Sequence, residues 1–84
     1  MMKAHKMFSN SPLVIWTDMR EKEYWVFPTQ KKAEAFFRSV VNDELKRRGK
    51  TTDETGRNIE QCLSDGEADF DETGIELTTC NVMP

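Results

Sequence analysis

The chain has 84 residues, a net charge of −3 at neutral pH and 37% hydrophobic residues, which is enough for one small domain. Leu, Ile, Val and Phe are sparse, but two Trp, five Phe and one Tyr with so small a net charge argue for a folded core rather than disorder. No apolar run approaches the ~20 residues of a membrane helix, and the basic opening Met1-Met2-Lys3-Ala4-His5-Lys6 lacks the apolar stretch of a secretory leader, so a cytoplasmic protein is expected.

Residues 1–11 read as a loose N-terminus and 12–84 as a single α+β domain. Leu13-Val14-Ile15-Trp16-Thr17 is β-branched and aromatic, as a strand requires. Asp18 to Lys22 is a polar connector. Glu23-Tyr24-Trp25-Val26-Phe27 is a second strand stopped by Pro28, and the two make a β-hairpin. Thr29 caps a helix over 30–48. Ala33, Phe36, Phe37, Val40, Val41 and Leu45 recur at three- and four-residue steps along it. Glu34/Arg38, Asp43/Arg47 and Glu44/Arg48 are i,i+4 pairs with the acid first. Lys46-Arg47-Arg48 suits the helix C-terminus, and Gly49 suits the residue beyond it.

Thr51-Thr52-Asp53-Glu54 fits a capping box for a shorter helix over 53–64 that buries Ile59, Cys62 and Leu63, although Gly56 weakens its first turns and moves the start toward Arg57. Ser64-Asp65-Gly66 ends it. Ile75 to Val82 reads as a strand, and Ala68-Asp69-Phe70-Asp71 pairs with it across Glu72-Thr73-Gly74. The expected architecture is a small antiparallel sheet, the N-terminal hairpin plus a C-terminal strand or hairpin, with one long and one short helix in the order ββααβ(β). Phe36, Phe37 and Val40 are expected against the hairpin.

Both faces of that hairpin are apolar: Leu13 and Ile15 oppose Val14 and Trp16, and Tyr24 and Val26 oppose Trp25 and Phe27. The long helix covers one face. The short helix, Met7-Phe8, a second copy or a partner must cover the other. A patch carrying Trp16, Trp25 or Phe27 would mark a binding surface.

Chemistry is thinly represented. Cys62 and Cys80 read as free buried thiols, His5 stands alone, and zinc would need about four ligands at suitable spacing. Asp69-Phe70-Asp71-Glu72-Thr73-Gly74 opens like a calcium loop, but Cys80 occupies the place of the bidentate Glu. No nucleophile with a histidine partner and no Gly-rich phosphate loop is present. No cofactor, metal or catalytic residue is therefore expected.

Charge is the more informative feature. Residues 1–50 hold 11 Lys/Arg and 6 Asp/Glu, while residues 51–84 hold Arg57 and nine acids. Asp65, Glu67, Asp69, Asp71, Glu72 and Glu76 are six carboxylates in twelve residues with no basic residue among them. In the first half, Lys31, Lys32, Arg38, Lys46, Arg47 and Arg48 make a basic helix face that a nucleic-acid backbone could use.

In being small, acidic, aromatic-rich and free of motifs, the chain resembles the small inhibitor and modulator proteins of bacteriophages and mobile elements, anti-CRISPR proteins among them. The resemblance covers no matched residue. It implies a non-catalytic inhibitor that occludes or mimics a nucleic-acid-binding surface of a host complex. The alternatives are a small nucleic-acid-binding regulator using the basic helix face, and a homodimer or complex subunit using the apolar sheet face. No membrane contact is expected.

Overall fold

The computed structural model describes residues 11–80. Four antiparallel strands form one sheet in the order β2-β1-β4-β3, with β1 at Ser11–Asp18, β2 at Glu21–Val26, β3 at Glu67–Phe70 and β4 at Thr73–Cys80. Two helices, α1 at Gln30–Arg48 and α2 at Ile59–Asp65, lie between the two hairpins in the chain, which gives the expected α+β order. The loose N-terminus expected over 1–11 lies outside the described residues except for Ser11, which is the first residue of β1. Met7, Phe8, Asn81 and Val82 are likewise outside them.

The first hairpin is tighter than its polar connector suggested. Pairing continues through Thr17↔Lys22 and Asp18↔Glu21, leaving only Met19 and Arg20 in the turn. Met19 takes up the reversal at φ 38, in the left-handed region. Phe27 N–H donates to the Pro12 carbonyl at 2.9 Å, so Pro12, Val14, Trp16 and Asp18 are the β1 residues whose backbone groups face β2.

Helix α1 keeps its expected bounds. The Thr29 hydroxyl accepts from Lys32 N–H, and Gly49 sits at φ 67 with its N–H on the last carbonyls. Helix α2 begins at Ile59, six residues after 53 and just past Arg57, toward which Gly56 moved the expected start. Its capping box is built by Asn58 and Gln61, not by Thr51 or Thr52. The Asp53 carboxylate is used instead to shape a loop, and Gly56 at φ 90 is not helical. Gly66 ends α2 at φ 76, and a Cβ there would meet the Leu77 carbonyl oxygen at 2.8 Å, so the position admits only glycine without strain. The second hairpin turns at Asp71-Glu72, one residue earlier than expected, with Asp71 at φ 54.

Strand register decides what each face carries. Val14, Trp16, Trp25, Ala68, Phe70, Ile75 and Leu77 share one face, because Val14 lies opposite Trp25 and Leu77, and Ile75 opposite Trp16 and Ala68. Helix α1 packs Ala33, Phe37, Val41 and Leu45 onto that face, and α2 adds Cys62. Phe37 is fully buried. Phe36 sits against Trp25 and Phe27, with ring centroids 5.0 and 5.2 Å away. The helix stripe thus docks on the hairpin as its spacing required. No described helix packs on the opposite face, which carries Leu13, Ile15, Thr17, Lys22, Tyr24, Val26, Glu67, Asp69, Gly74, Glu76 and Thr78.

Candidate functional site

The acidic segment divides into two parts. Asp65, Glu67 and Asp69 converge on Arg57, with N–O distances of 3.2, 3.0 and 3.4 Å. Asp53 joins them from beneath at 3.1 Å, with its side chain fully buried. One Asp53 oxygen accepts from the backbone N–H groups of Thr55 and Arg57 and from the Thr55 hydroxyl; the other accepts from Asp69 N–H. Burial pushes the Asp53 carboxyl up, but these hydrogen bonds outweigh it and hold the group down at about 2. Burial works against the Arg57 charge as well, and the bonds to Glu67 and Asp65 overcome it and raise the guanidinium above its ordinary value. This hub ties the loop after α1 to β3: Glu54 N–H donates to the Asp69 carbonyl at 2.8 Å.

Asp71, Glu72 and Glu76 make no ion pair among the described residues and are exposed. Asp71 and Glu72 form the tip of the second hairpin, beside the first: Met19 N–H donates to the Glu72 carbonyl at 3.2 Å. Glu76 lies directly opposite Glu67 across β4 and β3, and opposite Ile15 across β4 and β1. Like charges in directly opposite positions repel. Next to them Asp69 faces Gly74, whose missing side chain leaves a depression of about 170 Å³ lined by Ile15, Thr17, Glu67, Asp69 and Glu76.

The aromatic candidates are placed differently from the expectation. Trp16, Trp25 and Phe27 lie on the helix-covered side, half-buried against the core. Both faces of the hairpin are apolar, and the helix stripe, ending in Phe36, took the one with the larger rings. The exposed large apolar side chains among the described residues are Met19 at 71%, Tyr24 at 58% and Val26 at 42%, and all belong to the first hairpin. On the face opposite the helices, exposed Val26 and buried Leu13 form one cross-strand row, and Tyr24, Ile15, Glu76 and Glu67 form the next. An apolar half on β1 and β2 therefore borders an acidic half on β3 and β4. Tyr24 and Ile15, which the sequence did not single out, lie on this side of the sheet. Their alternation was legible, but the side the helix would choose was not.

The basic helix face is partly consumed by the fold. Arg38 pairs with Glu60 of α2 rather than with Glu34. Its hydrogen bond with Glu60 raises the Arg38 pKa and lowers that of Glu60. Arg47 and Arg48 both bind Glu44, so the expected Asp43/Arg47 pair is replaced and the Glu44/Arg48 pair is present. Burial raises Glu44, and the two guanidiniums more than offset it. Arg48 also lies over the Phe70 ring, 5.2 Å from its centroid. Lys31, Lys32 and Lys46 remain exposed.

A groove of about 560 Å³ runs where α1, α2 and β4 meet, lined by Gln30, Glu34, Glu60, Leu63, Leu77 and Thr78. Cys62 is a free, buried thiol in the core cluster, and burial pushes its pKa up to about 11. Among the described residues no group of three or more His, Cys, Asp or Glu side chains could hold a metal ion, and no helix is long and apolar enough to cross a membrane. No protein-family profile matches the chain, and comparison with the curated proteins and with the solved structures finds no significant match in either.

Proposed function

We propose that the chain is a non-catalytic protein-binding module, an inhibitor or modulator that lays the sheet face opposite its helices on a basic surface of a nucleic-acid-handling complex and occludes it. The observation that carries this reading is the acidic cluster of that face: Glu76 has no ion pair among the described residues and stands opposite Glu67, Glu67 and Asp69 share the single Arg57 with Asp65 and Asp53, and Ile15 and Tyr24 lie in the same row. A folded chain that places two carboxylates opposite one another gives up roughly 0.2–1 kcal/mol. A cationic partner relieves that repulsion and speeds its own approach, while the neighbouring apolar side chains supply area to bury. Asp71 and Glu72 extend the same negative field at the hairpin tip. The resemblance to small phage-encoded inhibitors, anti-CRISPR proteins among them, agrees with this mode of action and with a cytoplasmic partner.

The test is capture of a partner from a bacterial lysate, followed by association kinetics at several salt concentrations. The triple replacement Asp71→Asn, Glu72→Gln and Glu76→Gln should fold normally, associate more slowly and show a shallower salt dependence. Tyr24→Ser should speed dissociation. Unchanged binding and salt slope in both variants would overturn the reading. So would salt-dependent binding to nucleic acid alone, which would shift the function to Lys31, Lys32 and Lys46 on α1.

A further inference from the structure

The β2 edge points to a second copy of this chain. Backbone pairing to β1 uses Glu21, Glu23, Trp25 and Phe27, a parity fixed by the Phe27 N–H bond to Pro12. The N–H and C=O groups of Lys22, Tyr24 and Val26 therefore point away from the sheet, and none has a partner among the described residues. The opposite edge differs in part: β3 directs Glu67 and Asp69 outward, and both backbone groups of Asp69 are taken, by Asp53 and Glu54, while those of Glu67 have no partner among the described residues. All the exposed large apolar side chains of the described chain lie on or beside β2. An open edge carrying exposed apolar side chains is a template for another strand.

The β2 sequence selects its own partner and register. In an antiparallel pair of two copies, the outward residues Lys22, Tyr24 and Val26 must face one another. With Tyr24 opposite Tyr24 of the second copy, Lys22 faces Val26, Glu23 faces Trp25, and no like charges stand opposed. A two-fold axis at Glu23 sets Glu23 against itself, and one at Lys22 sets Lys22 against itself and Glu21 against Glu23. An axis at Trp25 places Lys22 opposite Pro28, which has no N–H to give. We infer that two copies pair through β2 about Tyr24, joining their sheets into one of eight strands. Lys22, Tyr24 and Val26 each exchange both backbone hydrogen bonds across the junction. The exposed Tyr24 and Val26 of each copy then meet on the face opposite the helices. This inference rests on the edge and does not depend on the function proposed above.

The test uses the full chain without any partner. Sedimentation across micromolar to millimolar concentration should show the apparent mass rising to that of a dimer. Amide exchange at Lys22, Tyr24 and Val26 should slow as concentration rises, whereas Glu23 and Trp25 should be protected at every concentration. Tyr24→Pro removes one outward N–H and no bond to β1, and Tyr24→Lys sets two cations opposite one another; both should hold the chain at monomer mass. Their circular dichroism and melting, compared with wild type, show that the monomer fold is kept. A wild-type chain that stays monomeric at millimolar concentration would overturn the inference. So would a dimer that survives Tyr24→Lys, or one in which those three amides exchange freely.

Discussion

The two edges of the sheet end in opposite ways. At β3, Asp53 and Glu54 lie along the strand and satisfy both outward backbone groups of Asp69, and Arg57 gathers the strand's carboxylates above them. At β2, the outward groups of three residues meet nothing else among the described residues, and Tyr24 and Val26 stand exposed between them. The β3 edge is short, has its Asp69 position closed, and carries a charge cluster in which Asp53 is buried, Arg57 is partly buried, and Asp65, Glu67 and Asp69 are about half exposed. The open edge is longer and carries apolar side chains. A strand edge left bare costs little in the monomer and is available for contact, whereas a buried ion cluster is costly to disturb.

Breaking the closed edge should have the largest effect. Asp53→Ala strips the acceptor from the N–H groups of Thr55, Arg57 and Asp69, while Arg57 keeps Asp65, Glu67 and Asp69, so urea unfolding should show a loss of about 3–5 kcal/mol. Phe37→Ala, which empties the centre of the core, should cost a similar ~3–5 kcal/mol, so an edge interaction should rival a core side chain. The same edge should respond to acid. The Asp53 carboxyl has a folded value of about 2 against an ordinary 3.8, so its contribution of about 2 kcal/mol is fully present above the unfolded value. It should be lost as pH falls from about 4 through about 2, and a pH series of unfolding midpoints should lose that portion of its slope in Asp53→Asn. Gly66→Ala disturbs the entry into β3, because its φ of 76 is strained for an L residue and its Cβ would press on the Leu77 carbonyl. Its cost should be about 1–2 kcal/mol in the same assay. At the open edge, Tyr24→Lys should change monomer stability by less than about 0.5 kcal/mol. A large loss there would mean the β2 edge is structural after all.

The parts legible in the sequence were those decided locally. Thr29, the three-four stripe and Gly49 bound α1 because cap, face and stop all lie within the segment itself. The start of α2 was not legible, since Thr51-Thr52-Asp53-Glu54 satisfies a capping pattern as well as Asn58 does. Asp53 was diverted by Asp69, sixteen residues away and on another strand, and nothing near position 53 shows that bond. The pull of Arg57 on Asp65, Glu67 and Asp69 was hidden for the same reason. The alternating sides of the first hairpin were plain in Leu13, Val14, Ile15 and Trp16. Two apolar sides do not say which one a helix will cover, so Trp16, Trp25 and Phe27 are half-buried under α1 and the exposed apolar side chains are Met19, Tyr24 and Val26.

Ser11 and Cys80 are neighbours across the two central strands, at the end of the sheet away from both hairpin turns. The described residues thus begin and end side by side on adjacent strands. Spliced into a surface loop of a carrier protein, this unit would ask that loop to part by only one strand spacing, about 5 Å. Joining those two ends and cutting between Met19 and Arg20 would give a rearranged connectivity that leaves every strand, both helices and the Arg57 cluster intact. The open edge could then be displayed from a larger scaffold, or the chain restarted beside it, without rebuilding the interior.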